Sequence, residues 1–137
     1  MINKKMEKLK AGIYIHIPFC TVKCGYCDYY SVADRNNDIP TFIQSLLTEI
    51  ELIGNKFNHN WIFDTIFIGG GTPSLISPKW IEQIMVALDT KLNISNNNEI
   101  TMEINPGDST LDSLLEYKNI GVNRISIGFQ SFDPSLL

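Results

Sequence analysis

Cysteine and histidine are scarce in this sequence, and their scarcity narrows the chemistry that the chain can perform. The 137 residues include three cysteines and two histidines. An odd number of cysteines does not fit a framework of paired disulfides, which is typical of oxidising compartments. The three cysteines, Cys20, Cys24 and Cys27, all fall within one short stretch. Their chemistry is therefore concentrated at one place in the chain.

Long apolar runs and an excess of positive charge are also missing. The formal net charge is −4, so composition gives no basic surface of the kind that binds nucleic acid or anionic lipid. No window approaches the roughly 18 apolar residues of a membrane span. The lysines among residues 1–10 are followed by no apolar segment of signal-peptide length. We therefore expect a cytoplasmic globular protein with no nucleic-acid partner and no membrane span.

The three cysteines follow a pattern that predicts a buried strand. Ile13, Ile15 and Ile17 alternate with other residues, which is the period of a strand with one apolar face. The spacing C-x3-C-x2-C places all three thiols on one loop just past that strand. A structural zinc site or an ordinary iron–sulfur cluster takes four protein ligands. Three thiolates without a fourth indicate that something other than protein completes the set.

Two other interpretations of the cysteines stay open at this stage. His16 could complete a Cys3His zinc site, although it lies on the strand, four residues before Cys20. Buried cysteines without any ligand are common in proteins, but here they lie on a loop rich in glycine and tyrosine. For His16 itself we favour a structural role, with its hydrogen bonds satisfied inside the fold.

Strand and helix patterns alternate along the rest of the chain. Residues 64–68, 99–105 and 122–129 have strand patterns, and segments with one apolar helical face lie between them. The order β-α-β-α-β-α-β predicts an α/β fold with parallel strands joined by helical crossovers. The asparagine-rich segment 93–98 is expected to be a connector.

Capping residues mark the expected helix ends. The residues expected to start or end the three helices are Asp38, Gly54, Ser77, Pro78, Ser109 or Thr110, and Gly121. A further helix is expected to begin at Asp133 and Pro134. Trp61 and Trp80 are interpreted as packing residues, and Arg124 as the partner of a carboxylate on the sheet.

Each polar cluster of the sequence follows the carboxyl end of a predicted strand. The cysteine loop follows the first strand, and the glycine-rich loop Gly69–Thr72 follows the second. The third strand ends with Glu103 and Asn105, and the fourth is followed by Gln130 and Ser131. Active sites of parallel α/β folds are built at that face, so we expect the four loops to converge. The glycine run is neither a phosphate-binding P-loop nor a dinucleotide fingerprint. Beside a cluster, we expect it to contact a cofactor, and Glu103 and Gln130 to hydrogen-bond a ligand.

The assembled motifs resemble the radical S-adenosylmethionine (radical SAM) superfamily, whose hallmark is C-x3-C-x-aromatic-C with Tyr26 as the aromatic. Within it, the chain is similar to the oxygen-independent coproporphyrinogen III oxidase family. The similar segments are Tyr14–Cys20, Cys24–Cys27, Ile68–Ser74, Glu103–Pro106 and Asn123–Ser131. The resemblance implies the N-terminal half of a (β/α)6 partial TIM barrel, with residues 1–11 as an extension and 12–137 as a core domain that stops after the fourth strand.

The resemblance also implies cofactors and site residues. Cys20, Cys24 and Cys27 would bind a [4Fe-4S] cluster with one open iron. The residues implied to contact the cluster or SAM are Tyr14, Tyr26, Gly70, Gly71, Thr72, Glu103 and Gln130. The implied mechanism is reductive cleavage of SAM to a 5′-deoxyadenosyl radical, which in the oxidase branch leads to decarboxylation of a porphyrinogen. Implied partners are a porphyrin or haem and an electron donor such as flavodoxin or ferredoxin.

Two departures from the family pattern separate its branches. The oxidase branch has another cysteine two residues after the last ligand, whereas this chain has Tyr29 there. That pattern is similar to the haem chaperone branch, which delivers haem without oxidase activity. The chain also stops where family members continue, so an inactive fragment is a third interpretation. A half barrel would expose a sheet edge, and we expect poor solubility or a homo-oligomer.

Overall fold

The computed structural model describes residues 8–57, 60–133 and 135. Its elements in chain order are β1 (Leu9–Ile17), β2 (Phe19–Cys20), β3 (Val32–Ala33), α1 (Ile39–Phe57), β4 (Trp61–Gly70), α2 (Pro78–Lys91), β5 (Ile94–Ile104), α3 (Leu111–Ile120) and β6 (Arg124–Ile127). Single 3-10 turns lie at Asn36–Asp38 and Pro73–Leu75. Strands β1, β4, β5 and β6 form one sheet in that order, and each neighbouring pair is parallel. The predicted α/β fold with parallel strands is confirmed.

The helices pack against one face of this sheet and leave polar groups on the other. Side chains alternate between the two faces of a strand. The helix-side face supplies the buried strand residues Ile15, Ile17, Ile66, Ile68, Ile100, Met102 and Ile104, and the helices supply Ile43, Ile50, Ile81, Ile84, Leu88 and Tyr117. The opposite face has Tyr14, His16, Phe67, Glu103 and Arg124 along the strands. Polar side chains are therefore concentrated on the second face and at the strand ends.

The helix-end predictions hold for α2 and α3 but not for α1. Thr110 caps α3 with a capping box in which its hydroxyl accepts from the Ser113 backbone N–H, and Gly121 ends that helix at φ 118°. Pro78 occupies the first position of α2, directly after Ser77. In α1, the prediction that Gly54 ends the helix was wrong. Helix α1 continues to Phe57 because Gly54 lies inside it, buried against the end of α2.

The strand boundaries differ from the sequence pattern in all four strands of the sheet. Strand β4, predicted at residues 64–68, spans Trp61–Gly70. Strand β1 begins at Leu9, where it already pairs with Trp61 of β4. Strand β5 begins at Ile94, so the expected connector 93–98 was placed wrongly. Ile94 pairs with Phe63, and the pairing is interrupted before it resumes at Glu99. Strand β6 is shorter than predicted. A further helix is expected to begin at Asp133 and Pro134. Pro134 lies outside the described residues, so this stays a prediction.

Two smaller sequence predictions agree with the structure. Trp61 and Trp80 are partly buried against the core. Arg124 Nη1 lies 3.3 Å from Glu99 Oε1, so it pairs with a carboxylate on the sheet. None of the helices in the described part of the chain is long and apolar enough to cross a membrane.

Candidate functional site

The cysteine loop is held at its base by a small second sheet that the sequence did not predict. Strands β2 and β3 pair in parallel, with Cys20 opposite Ala33. Residues 21–31 project from this base. Cys20 and Cys27 are half-buried and Cys24 is exposed, and all three are free thiols. The Cys27 N–H donates to the Cys24 carbonyl over 3.1 Å, which fixes the turn between these two cysteines.

The glycine-rich loop lies directly against the base of the cysteine loop. The Gly71 N–H donates to the Ile17 carbonyl over 2.7 Å, and the Thr72 N–H donates to the Phe19 carbonyl over 2.8 Å. A Cβ added at Gly71 would lie 2.6 Å from the Phe19 carbonyl oxygen and 2.9 Å from Cys20 Sγ. Because both distances are shorter than real Cβ contacts, only glycine allows the two loops to approach so closely.

Glu103 is fixed in place by the same loop. Its Oε2 accepts a hydrogen bond from the Gly70 N–H over 3.1 Å. Gly70 has φ 117°, in the left-handed region that favours glycine. Burial raises the pKa of the Tyr14 hydroxyl above its usual value, and the nearby Glu103 carboxylate raises the pKa further. Glu103 thus places a negative charge on the polar face, close to the strand ends.

His16 is occupied by two hydrogen bonds within the fold. Its Nε2 lies 2.8 Å from the Tyr30 carbonyl oxygen, and its Nδ1 lies 3.1 Å from the Tyr14 hydroxyl. A carbonyl only accepts, so Nε2 holds the hydrogen and Nδ1 accepts from Tyr14. The structural role expected for His16 is therefore confirmed. The bond to Tyr30 also ties the far end of the cysteine loop to β1.

Thr72 and Asn105 link the glycine loop and β5 to a cysteine. The Thr72 hydroxyl donates to Cys20 Sγ over 3.6 Å, within the range for a sulfur acceptor. Asn105 Nδ2 donates to the same hydroxyl oxygen over 3.3 Å. The Asn105 N–H donates in turn to Ser74 Oγ over 3.4 Å. Three loops are thus connected by hydrogen bonds around one sulfur atom.

Two adjoining cavities open at the carboxyl ends of the strands. One, of about 190 Å³, is lined by Gly71, Thr72, Pro73, Glu103, Ile104, Asn105, Ser126, Ile127, Gly128 and Gln130. The other, of about 410 Å³, is lined by Cys24, Tyr26, Asn105, Pro106, Asp108, Gly128, Phe129 and Gln130. Asn105, Gly128 and Gln130 line both cavities, so the two lie side by side, and together we call them the strand-end cleft. The predicted convergence of the four loops is present in the structure.

Most of the residues singled out from the sequence border this cleft. Gly71, Thr72, Glu103 and Gln130 line its smaller part, and Cys24 and Tyr26 line its larger part. Cys20 lies just behind Gly71 and Thr72, Cys27 follows Cys24 in the same turn, and Gly70 holds Glu103. Tyr14 is placed differently, because it lines a separate cavity of about 390 Å³ between β1 and α1. Its expected contact with the cluster or SAM stays a prediction.

Two residues of the cleft were not singled out from the sequence. Ser126 and Gly128 line its smaller part together with Asn105, which the strand pattern had already placed at the end of the third strand. Asn105 follows Glu103 by two residues and therefore points to the same face. Ser126 pairs with Glu103 across β5 and β6, a neighbourhood that only the register of the sheet reveals.

The donor set fits an iron–sulfur cluster better than a single ion. Among the residues that the structure describes, no three histidine, cysteine, aspartate or glutamate side chains are placed to hold one metal ion. A [4Fe-4S] cluster takes one thiolate at each of several irons, so its cysteines need not converge on one point. Three free thiols on one loop, two of them half-buried and one exposed, suit that arrangement. His16 is already hydrogen-bonded at both ring nitrogens and does not complete a zinc set.

The family model described as the radical SAM superfamily matches residues 14–137. The chain belongs to the radical SAM superfamily. The match covers the described elements from within β1 to β6, including the cysteine loop and the strand-end cleft. The resemblance inferred from the motifs is therefore confirmed at the level of the superfamily.

Individual relatives are similar over most of this chain. A protein named heme chaperone HemW from Buchnera aphidicola is 43% identical over 128 residues, which are 92% of this chain and 34% of that protein. An oxygen-independent coproporphyrinogen III oxidase from Bradyrhizobium diazoefficiens is 34% identical over 125 residues, which are 90% of this chain and 28% of that protein. The chain thus spans about a third of the length of the curated relatives that it matches.

A solved structure has the same fold. It is described as coproporphyrinogen III oxidase (HemN) from Escherichia coli, a radical SAM enzyme, and it aligns with a TM-score of 0.86 at 27% sequence identity. The alignment covers 95% of this chain and 30% of that one. The chain therefore has the fold of one portion of a radical SAM enzyme, as the motifs predicted.

Proposed function

We propose that this chain binds a [4Fe-4S] cluster and SAM, and that it acts in porphyrin or haem metabolism. The observation that supports the proposal is the strand-end cleft. Cys24 of the cysteine loop lines its larger part, and the backbone of Gly71 and the carboxylate of Glu103 line its smaller part, with Asn105, Gly128 and Gln130 shared by both. Because one of the three cysteines lines the polar cleft, a cluster held by the cysteines and a ligand bound in the cleft would lie side by side.

Each group of residues has a distinct part in this proposal. Cys20, Cys24 and Cys27 would hold the cluster. Gly71 and Thr72 would line the SAM site, and Glu103 and Gln130 are placed to accept or donate hydrogen bonds to it. With both groups bound, the chemistry supplied is one-electron reductive cleavage of the sulfonium, for which an electron donor such as flavodoxin or ferredoxin would be the partner.

The protein's own contribution is orientation and electrostatics. One oxygen of Glu103 accepts from the Gly70 N–H, and the residue lines the smaller part of the cleft, so its carboxylate is placed beside a bound ligand. Cys20 is half-buried behind Thr72, which is buried, so water has little access to that side of the thiolate set. Fixed polar groups around a bound cation need no reorganisation when charge moves, and this favours reaction at the oriented centre.

Within the family, Tyr29 favours a haem chaperone over an oxidase. It stands two residues after Cys27, where the oxidase pattern has a cysteine. Relatives of both names match this chain. The haem-delivery function takes haem as ligand, whereas the oxidase function takes a porphyrinogen as substrate. Release of methionine and 5′-deoxyadenosine with a porphyrinogen would support the oxidase, and a haem-dependent absorbance change without such release would support the chaperone.

Cluster and SAM binding can be tested on the chain as it stands. The protein is reconstituted anaerobically with iron and sulfide, reduced with dithionite, and its EPR spectrum is recorded with and without SAM. We expect a [4Fe-4S]+ signal whose g values change when SAM is added. Absence of any cluster, or zinc bound in its place, would contradict the proposal. A cluster whose spectrum is indifferent to SAM would favour an inactive fragment instead.

Variants separate the cluster from the SAM site. Cys24→Ser is expected to abolish the cluster signal, because one of three thiolates is lost. Glu103→Gln is expected to keep the cluster but weaken the spectral response to SAM by about tenfold in concentration, the equivalent of about 1.4 kcal/mol. Glu99→Gln is the matched control. Glu99 lies on the same strand, pairs with Arg124, and lines neither part of the cleft.

A further inference from the structure

Thr72 makes a hydrogen bond whose acceptor is a cysteine sulfur of the proposed cluster site. Its hydroxyl oxygen lies 3.6 Å from Cys20 Sγ. The residue is 5% exposed, so water hardly competes for this hydroxyl. Its backbone is fixed on both sides, because its N–H donates to the Phe19 carbonyl over 2.8 Å and its carbonyl accepts from the Leu75 N–H over 3.0 Å. The hydroxyl is therefore held beside the sulfur by the fold.

Asn105 determines the direction in which this hydroxyl donates. Its Nδ2 lies 3.3 Å from Thr72 Oγ1 and fills an acceptor position of the oxygen. A hydroxyl has one hydrogen to donate and two acceptor sites. With Asn105 as donor to the oxygen, the hydroxyl hydrogen is left for Cys20 Sγ, which as a thiolate only accepts. The two hydrogen bonds run in one direction, from the Asn105 amide to the Thr72 hydroxyl and from that hydroxyl to Cys20 Sγ, and we call them the relay.

We propose that Thr72, oriented by Asn105, is a positioning residue that raises the reduction potential of the cluster by donating a hydrogen bond to Cys20 Sγ. The inference rests on the proposed cluster at Cys20, Cys24 and Cys27. Hydrogen bonds to the sulfur atoms are among the factors that set the potential of iron–sulfur clusters. Reduction adds a negative charge that is shared with the thiolate ligands, so a donor at sulfur stabilises the reduced form more than the oxidised form.

The experiment is a potentiometric EPR titration of the reconstituted full chain. Thr72→Val replaces the hydroxyl by a methyl group of nearly the same shape, and Thr72→Ser keeps the hydroxyl. For Thr72→Val, we expect the ratio of reduced to oxidised cluster, measured at the wild-type midpoint, to fall about tenfold, which is about 59 mV for a one-electron couple. For Thr72→Ser, we expect the ratio to stay within about twofold of the wild-type value, because the serine hydroxyl can still donate a hydrogen bond to the Cys20 thiolate.

The matched control is another buried threonine. Thr101 is 1% exposed, and its hydroxyl contacts Glu99 rather than a cysteine. Thr101→Val should leave the midpoint unchanged. An unchanged midpoint in Thr72→Val, or an equal shift in Thr101→Val, would overturn the role of Thr72. Wild-type chain that forms no cluster would instead contradict the proposed function, so the two failures are distinguishable.

A second variant decides the matter if Thr72→Val takes up no cluster. Asn105→Leu removes the donor that orients the hydroxyl while keeping the hydroxyl itself. We expect its midpoint to shift in the same negative direction by a smaller amount, about threefold in the ratio. An Asn105→Leu midpoint equal to that of the wild type would overturn the relay.

Discussion

Gly71 is the residue at which the glycine-rich loop comes nearest to the cysteine loop. The atoms that a Cβ would meet are the Phe19 carbonyl oxygen at 2.6 Å, Cys20 Sγ at 2.9 Å and the Pro18 carbonyl carbon at 2.9 Å. Two of these are backbone atoms and cannot rotate away. The position of Cys20 relative to the strand-end cleft therefore depends on residue 71 having no Cβ.

Replacing Gly71 should separate these two loops. For Gly71→Ala, we expect a loss of stability of about 1–3 kcal/mol from overpacking and a lower iron content after reconstitution. Thermal unfolding and iron per chain measure the two effects. Gly25→Ala is the control, because it lies on the cysteine loop itself and an added Cβ meets nothing within 4 Å. Equal iron content and equal stability in the two variants would contradict the packing argument.

Tyr117 is a second residue whose contact can be tested in isolation. It is buried in the core, and its hydroxyl donates to the Ile76 carbonyl over 2.9 Å. This bond joins α3 to the segment that precedes α2. Burial raises the pKa of Tyr117, and the Glu116 carboxylate raises it further. The neutral hydroxyl is therefore the form that the folded chain requires.

Tyr117→Phe should destabilise the chain and change its response to alkaline pH. Loss of the bond leaves the Ile76 carbonyl unpaired, at a cost of about 1–3 kcal/mol. Because the folded pKa is above the unfolded value near 10, the contribution of the neutral hydroxyl is present below pH 10 and is lost as pH rises through the folded pKa. Parent and variant should therefore converge in stability at strongly alkaline pH.

Denaturant unfolding at several pH values measures this convergence. Tyr30→Phe is the control, since its side chain is 74% exposed. It should match the parent at neutral pH. A Tyr117→Phe variant as stable as the parent at pH 7 would show that the Ile76 carbonyl finds another partner.

At the scale of elements, α1 and α2 cross at a glycine. Gly54 is buried in the last turns of α1, and a Cβ there would lie 2.7 Å from Lys91 Cβ and 2.8 Å from the Lys91 carbonyl oxygen. Nearby, Lys91 Nζ contacts Glu51 Oε1 over 2.8 Å. The two helices can therefore approach closely because Gly54 has no side chain. The exposed ion pair between Lys91 and Glu51 lies beside this contact.

The effect of Gly54→Ala should be opposite to that expected from helix propensity. Alanine is favoured over glycine in a helix by about 1 kcal/mol, but overpacking costs about 1–3 kcal/mol. Because the clash is with backbone, we expect net destabilisation. Ser45→Ala, at an exposed position of the same helix, is expected to be neutral or stabilising. A Gly54→Ala chain that unfolds at higher denaturant concentration than the parent would contradict this account.

The order and type of the long elements could be predicted from the sequence, because each has a clear apolar period. The pair β2 and β3 could not, because two residues show no period, and their pairing joins segments twelve residues apart. Gly54 was misjudged because a glycine near the end of a helical pattern resembles a terminator, and only the packing of α2 reveals its other use.

In the candidate site, too, the positions of residues within one segment could be predicted, but the contacts between distant segments could not. The strand-end positions of Glu103 and Gln130 followed from the pattern of their own segments. The contact of Thr72 with Cys20, and that of Asn105 with Thr72, join residues far apart in the chain. Those contacts depend on the register between strands, which no single segment of sequence contains.

At the scale of the whole molecule, the sheet has two outer strands. Among the residues that the structure describes, the order is β1-β4-β5-β6, so strands β1 and β6 each have one neighbour. Strand β6 presents Ile125 and Ile127 at 41% and 54% exposure, and Phe132 follows at 88%. Apolar groups beside an unpaired strand edge favour association with another sheet edge.

We therefore expect the isolated chain to self-associate. Light scattering at increasing concentration should give a mean mass above that of the monomer. Ile127→Lys should shift this association to higher concentration, since charge on an outer strand opposes pairing. Leu52→Lys is the control, because Leu52 is 67% exposed and lies on a helix, α1, rather than on a strand. A monodisperse monomer at all concentrations would contradict the expectation.

The central claim is that three cysteines leave one iron of a cluster open to SAM in the strand-end cleft. The most direct measurement is electron–nuclear double resonance of the reduced, reconstituted chain with SAM labelled with ¹⁷O at its carboxylate or ¹⁵N at its amine. The account predicts hyperfine coupling between these nuclei and the cluster, lost in Cys24→Ser together with the cluster. A well-formed [4Fe-4S]+ cluster with no coupling to either label at saturating SAM would contradict the claim.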